Sequence, residues 1–118
     1  MTQDSIENLR KRLAEFAADR DWDNFHSPKN LSMALIAEAA ELVEHFQWLT
    51  EEESKQLKAG KLDEVSLELA DILIYLIRLA DKLDVDLIQS AEKKILINET
   101  RYPVEKVRGK AKRASEYK

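Results

Sequence analysis

The chain contains no cysteine, so disulfides, zinc-thiolate centres and thiol nucleophiles are excluded together. That absence suits a reducing compartment, and the expected location is cytoplasmic. Glycine and proline number only two each in 118 residues, too few to turn the many short strands of a sandwich or barrel, which leaves helices. Long apolar runs are missing as well. The longest unbroken one, Ile72 to Ile77, is six residues bracketed by Asp71 and Arg78, against the roughly 20 that a spanning helix needs. No membrane span and no signal peptide is expected. Positive charge is the minority, 19 Lys and Arg against 23 Asp and Glu, and the net −4 argues against a nucleic-acid surface as partner.

What is there is 44% apolar and 36% charged sequence, in a length that suits one globular domain. A chain of this size buries roughly two-thirds of its unfolded surface, a core small enough for self-association to extend usefully. Charge is unevenly spread. Residues 104–118 carry six Lys or Arg against Glu105 and Glu116, so this tail is +4 and residues 1–103 are −8. The division expected is a helical domain over 1–103 followed by a basic tail over 104–118.

Ile6, Leu9, Leu13, Phe16 and Ala17 step by three and four, which predicts an amphipathic helix from about Asp4 to Asp19. Ser27 before Pro28 supplies an N-cap and a first-turn proline for a second helix reaching about Trp48. Thr50 with Glu53 predicts a capping box opening a short charged helix that stops at Gly60, where glycine permits a left-handed cap. From Leu62 to about Leu83 apolar residues cover nearly every direction, so this third principal helix reads as central and buried. Asp84 is the expected cap of a fourth, which Pro103 ends near Tyr102. The fold class predicted is all-α, a four-helix bundle assembled as a dimer or dimer of dimers.

Four acids break the apolar pattern. At 100° per residue Glu38 lies within the stripe of Leu31, Leu35 and Leu42, with Glu41 one turn on at its edge. Glu68 and Asp71 repeat the arrangement beside Ile72, Tyr75 and Leu79. An ionised carboxylate buried alone costs several kcal/mol, and four together also repel, so either they are protonated or a cation sits between them. Oxygen-only ligands suit Mg²⁺ or Mn²⁺ rather than zinc. Carboxylate-bridged iron bundles need Glu-x-x-His, and neither His26 nor His45 stands three residues after a Glu. Two other arrangements fit the same spacing: a different helix phase that turns some of these acids to solvent, or ion pairs with Lys29, Lys94 or Arg78.

Glu38-x-x-Glu41 followed after 26 residues by Glu68-x-x-Asp71 resembles the metal motif of the all-α nucleoside triphosphate pyrophosphohydrolases, the MazG-like superfamily. Arg20-Asp21-Trp22, Phe25-His26-x-Pro28-x-Asn30-Leu31, Phe46-Gln47-Trp48, the run from Glu68 to Leu76, and Arg101-Tyr102-Pro103 are similar to the dCTP pyrophosphatase branch. The likeness covers about residues 5–108. It implies an Mg²⁺-dependent enzyme, dimeric or tetrameric, that cleaves a nucleoside triphosphate, dCTP or a modified dCTP, between the α and β phosphates. By the same resemblance Glu38, Glu41, Glu68 and Asp71 match metal ligands, and Trp22, His26, Trp48 and Tyr75 match residues lining the base and sugar pocket. Lys94, Asn98, Arg101 and Tyr102 sit where the family contacts phosphates. Two departures stand out: Leu13 replaces a histidine of the vertebrate-type members, and Lys112-Arg113 leads into Ala114-Ser115-Glu116-Tyr117 instead of the usual Lys-Tyr ending.

Read without the resemblance, Trp22 and Trp48 fit core or interface packing better, although a flat indole also stacks on a nucleobase. His26 reads as a loop side chain or a hydrogen-bonding group, and Tyr75 lies one turn after Asp71 on the same face. Lys94, Asn98 and Arg101 line one side of the fourth helix, as a solvated stripe or as a clamp for a triphosphate. In the enzyme reading Glu38 or Glu41 orients the attacking water or takes its proton. The competing reading is a non-catalytic helical dimer whose buried acids pair with basic residues of the partner subunit.

Overall fold

The computed structural model describes residues 5–116. Helix α1 spans Ser5–Asp19; the expected start at Asp4 lies outside the described residues. A 3₁₀ turn, Asp23–Phe25, leads into α2, Pro28–Glu44. The short α3, Glu51–Lys55, precedes α4, Ala59–Lys82, and α5 spans Leu87–Arg101. Another single turn, α6 over Val104–Val107, and a 3₁₀ turn, Ala114–Glu116, follow in the tail. No strand occurs among the described residues, and none of their helices is long and apolar enough to cross a membrane.

Local chemistry places most boundaries. Ser27 Oγ accepts from the Asn30 amide at 3.1 Å, and Pro28 takes the first helical position, where its missing N–H costs nothing. Thr50 and Glu53 form a complete reciprocal capping box, at 3.1 and 2.9 Å. Asp86, not Asp84, caps α5, accepting from the Gln89 amide at 3.0 Å. Asp84 instead takes a left-handed φ of 55° in the turn after α4, as Asp21 does after α1; a short polar side chain tolerates that conformation. Gly60 is no terminator. It lies in the first turn of α4, which begins three residues earlier than the periodicity predicts.

The chain divides into two compact units, residues 1–84 and 85–118. In the first, α4 is the shared wall: α2 packs along it most extensively and α1 adds a smaller contact. Arg10 of α1 donates from Nη1 to Asp81 Oδ1 of α4 at 3.1 Å. The α1–α2 connection is fastened to the same stretch, Asp23 Oδ1 accepting from Lys82 Nζ at 2.7 Å and Arg78 Nη2 at 3.2 Å. Ala17, Leu31, Val65, Ile77 and Ala80 are the buried apolar core. Helix α4 is thus central, but it is not buried all round: Leu67, Leu69, Leu73 and Leu76 are exposed in the single chain, because only two of its sides are covered by α1 and α2. In the second unit, α5 leads through Tyr102 and Pro103 into the basic tail.

Candidate functional site

Both acid pairs stand on the two helices that pack on each other most. Residues three apart share a helix face, so Glu38 and Glu41 project from one side of α2, and Glu68 and Asp71 from one side of α4. One carboxylate oxygen from each of Glu38, Glu41 and Glu68 lies within 4.8 Å of the other two. Asp71 joins through Glu38, whose carboxyl lies within hydrogen-bonding reach of both Asp71 and Glu41. Glu38, Glu68 and Asp71 are half-buried and Glu41 is exposed. Loss of hydration, then those two hydrogen-bonding contacts and the two neighbouring negative charges, push the Glu38 carboxyl up to about 7.

The cluster fits a small hard cation. An Mg²⁺ ion with bonds of about 2.1 Å gathers oxygens that stand roughly 3 to 4 Å apart; the three carboxylate oxygens, within 4.8 Å of one another, need only small side-chain shifts to reach that spacing. All donors are carboxylate oxygens, and a cation would relieve the mutual repulsion that raises the Glu38 carboxyl. Of the proposed ion-pair partners, Lys29 contacts none of the four acids, and Arg78 pairs with Asp23 and Asp81. Glu68 has a different neighbour, His45, whose Nε2 lies 3.7 Å from Glu68 Oε2. The other ring nitrogen of His45, Nδ1, stands 3.2 Å from Lys61 Nζ and 3.7 Å from Glu64 Oε1.

Beside the acids opens a cavity of about 230 Å³, walled by Leu13, Phe16 and Ala17 of α1, Trp22 and His26 of the connection, and Asp71, Ile74, Tyr75 and Arg78 of α4. Trp22 is held at its edge by a T-shaped contact with Phe16, centroids 5.8 Å apart, and lies 6.3 Å from the His26 ring. Its backbone amide closes α1 by donating to Ala17 O at 2.9 Å, after the left-handed Asp21 has turned the chain. Asp71 therefore belongs to both halves, within hydrogen-bonding reach of Glu38 on one side and lining the apolar cavity on the other.

The model of the MazG-like family matches residues 34–116, which include both acid pairs. This chain belongs to the MazG-like family. Over 112 residues it is 45% identical to dCTP pyrophosphatase 1 of Bos taurus, covering 93% of the chain and 66% of that protein. It is 41% identical to dCTP pyrophosphatase 1 of Homo sapiens over 114 residues, 95% of the chain and 67% of the relative. The chain thus spans about two-thirds of the length of the curated relatives it matches. A pyrophosphatase from Archaeoglobus fulgidus has the same fold, with a TM-score of 0.81 at 36% identity, over 87% of this chain and 96% of its own.

For this MazG-like chain, the expected pocket residues divide. Trp22, His26 and Tyr75 line one cavity with Asp71, whereas Trp48 lies outside its walls, 85% exposed at the end of the α2–α3 connection. Lys94, Asn98 and Arg101 are on α5 and Tyr102 is its C-cap, all in the second unit. There the Arg101 guanidinium lies 5.8 Å from the Tyr102 ring centroid, Lys94 is exposed and Asn98 half-buried. Missing from the sequence reading of the site were Leu13, Phe16, Ala17, Ile74 and Arg78 in the cavity wall, and His45 beside Glu68. For Arg78 a signal existed: positions 71, 75 and 78 form one i, i+4, i+7 stripe.

Proposed function

We propose that this protein is an Mg²⁺-dependent nucleoside triphosphate pyrophosphohydrolase acting on dCTP or a modified dCTP. Water adds to the α-phosphorus, the α–β bridging oxygen leaves with pyrophosphate, and the products are the nucleoside monophosphate and pyrophosphate. The observation that carries this reading is the shared position of Asp71, between an all-oxygen acid cluster and an apolar cavity edged by Trp22, His26 and Tyr75. Triphosphate and base have to lie side by side, and the chain offers one kind of surface to each. The named activity of the two mammalian relatives and of the archaeal structure supports it.

Glu38, Glu41, Glu68 and Asp71 are the residues that would hold the cation, Mg²⁺ or Mn²⁺. When bound it supplies neutralising charge for the phosphates and Lewis-acid activation of water. The chain does the rest. Trp22 and Tyr75 present aromatic surface to a base, and stacking of this kind is worth ~1 to 3 kcal/mol. Glu38 or Glu41 accepts the proton of the attacking water. Lys94, Asn98 and Arg101 of α5, with Tyr102 at its C-cap, are the groups proposed to contact phosphates. Residues 1–103 form the catalytic domain in this reading and 104–118 a basic tail.

The assembly proposed is a dimer or dimer of dimers of this chain. Ile36 of α2 is 68% exposed and Leu69 of α4 is 52% exposed, on helices otherwise rich in leucine and isoleucine. Apolar patches of this kind mark association surfaces. A cytoplasmic location completes the reading and rests on the absence of cysteine. The decisive experiment is a panel of deoxynucleoside, ribonucleoside and modified dCTP substrates with Mg²⁺, scored for monophosphate and pyrophosphate. Preferential turnover of dCTP or its modified forms is expected. Release of inorganic phosphate instead of pyrophosphate, or no turnover of any triphosphate, overturns the proposal.

A further inference from the structure

Among the described residues Arg78 alone combines a charge with full burial, 3% exposed, and it lines the apolar cavity. Its fork is spent on three partners. Nη2 donates to Asp23 Oδ1 at 3.2 Å, Nη1 to Asp81 Oδ2 at 3.4 Å, and Nε to His26 Nδ1 at 3.2 Å. A guanidinium can only donate, so the His26 nitrogen facing it must be an unprotonated acceptor, and the ring proton is carried by Nε2. Turning the ring over would set a C–H against the Arg78 Nε–H and strand a buried donor, at a cost of ~1 to 3 kcal/mol. Burial lowers the His26 pKa, and the positive charges of Arg78 and Lys82 lower it further against the opposing charge of Asp23, so the neutral ring is favoured.

The Nε2–H has no partner among the described residues, and no buried side-chain nitrogen or oxygen there lacks one. Nε2 therefore stands where solvent or a ligand reaches it, on a residue that lines the cavity. We propose that Arg78 is a positioning residue for recognition: its Nε–H fixes His26 as the Nε2–H tautomer, and this donor selects a planar ring that offers a nitrogen or carbonyl acceptor at its edge. The inference rests on the nucleotide reading of the cavity, the ring being the base. A site with one fixed donor discriminates against an analogue lacking the acceptor, since its N–H is then left unpaired.

Arg78 can be removed without orphaning its carboxylates. Asp81 keeps Arg10 Nη1 at 3.1 Å and Asp23 keeps Lys82 Nζ at 2.7 Å. The test uses the full chain with ¹⁵N-labelled histidine, His26 being assigned by its loss in His26→Phe. In the wild type at about pH 7.5, a protonated Nε2 and an unprotonated Nδ1 are expected; in Arg78→Met the two nitrogen shifts converge as the tautomers exchange. In parallel, Arg78→Met should raise KM for dCTP about tenfold while kcat stays within about threefold, the split expected of lost ligand binding. A wild-type ring protonated on Nδ1, shifts unchanged in Arg78→Met, or a kcat loss with KM unmoved overturns the inference. If Arg78→Met does not fold, the wild-type spectrum and the KM of His26→Phe decide, a rise of about tenfold supporting it and an unchanged KM refuting it. A wild-type enzyme inert toward every triphosphate sinks the nucleotide reading and this inference with it, whereas an active one with unmoved KM in Arg78→Met sinks this inference alone.

Discussion

Glu38 meets two demands that conflict in the absence of a cation. Its place in the α2 stripe strips it of hydration, and Glu41 and Asp71 press negative charge on it, so it holds a proton more readily than an ordinary glutamate. Glu38→Gln keeps shape and one hydrogen-bond donor but cannot ionise. Mg²⁺-dependent pyrophosphate release should fall by about a hundredfold or more in that variant, measured by coupled pyrophosphate detection; retention of full activity would show that this acid takes no part. Trp22→Ala tests the other half of the site, with a rise in KM expected to match ~1 to 3 kcal/mol of lost stacking, and Trp22→Phe restoring most of it. The acids were legible in the sequence because an i, i+3 carboxylate pair has no business in an apolar stripe, and two such pairs reinforce each other. The cavity wall was not. Leu13, Phe16 and Ala17 obey the same three-and-four spacing whether they fill a core or line a hole, and the distinction is made by α4, far away in sequence.

At the scale of elements, the parts fixed by local chemistry followed the sequence and the parts fixed by neighbours departed from it. Side-chain caps are local, and Ser27 and Thr50 stand where the pattern put them. Ser27→Ala should cost ~1 kcal/mol of stability, seen as a shift in the urea midpoint with an unchanged slope. Helix ends without such a cap drifted: α2 closes at Glu44 rather than near Trp48, its last turn tightening through His45 N to Leu42 O and Phe46 N to Val43 O. Gly60 fits the first turn of α4 because backbone amides there have no partner one turn back, so a glycine costs little. Burial of α4 was over-read for a reason that packing makes plain. Ile77, 2% exposed, is enclosed by its own chain, and Ile77→Ala should lose ~2 to 5 kcal/mol. Leu69 and Leu73 point away from α1 and α2, so their apolar character reports on a surface that the single chain does not itself cover.

For the whole molecule, a net charge of −4 is unevenly spread, since Glu38, Glu41 and Glu68 gather at one place with Asp71 beside Glu38, and a bound divalent cation would offset part of that charge toward phosphate. The proposed self-association is tested at this scale too: if the exposed α4 face is its interface, Leu69→Glu should lower the mass measured by light scattering, and an unchanged mass, or a monomeric wild type, counts against it. The same acid cluster sets how stability depends on pH. With metal chelated, Glu38 binds its proton more tightly in the folded chain, at about 7, than at the ordinary value of 4.5. Its contribution is therefore complete below about pH 4.5 and is lost as pH rises through 7. His26 works in the opposite sense, because its lowered pKa favours the folded state above the ordinary histidine range and that contribution is lost as pH falls. The two are separable by substitution. Between about pH 5 and 8 the melting temperature of the chelated wild type should fall relative to Glu38→Gln, whose amide does not titrate. Mg²⁺ competes with the proton for the same oxygens, so its stabilising shift should be larger at about pH 8 than at pH 5 in the wild type and nearly flat in the variant. Parallel curves for the two proteins, with and without Mg²⁺, would mean that the cation binds somewhere other than among these carboxylates.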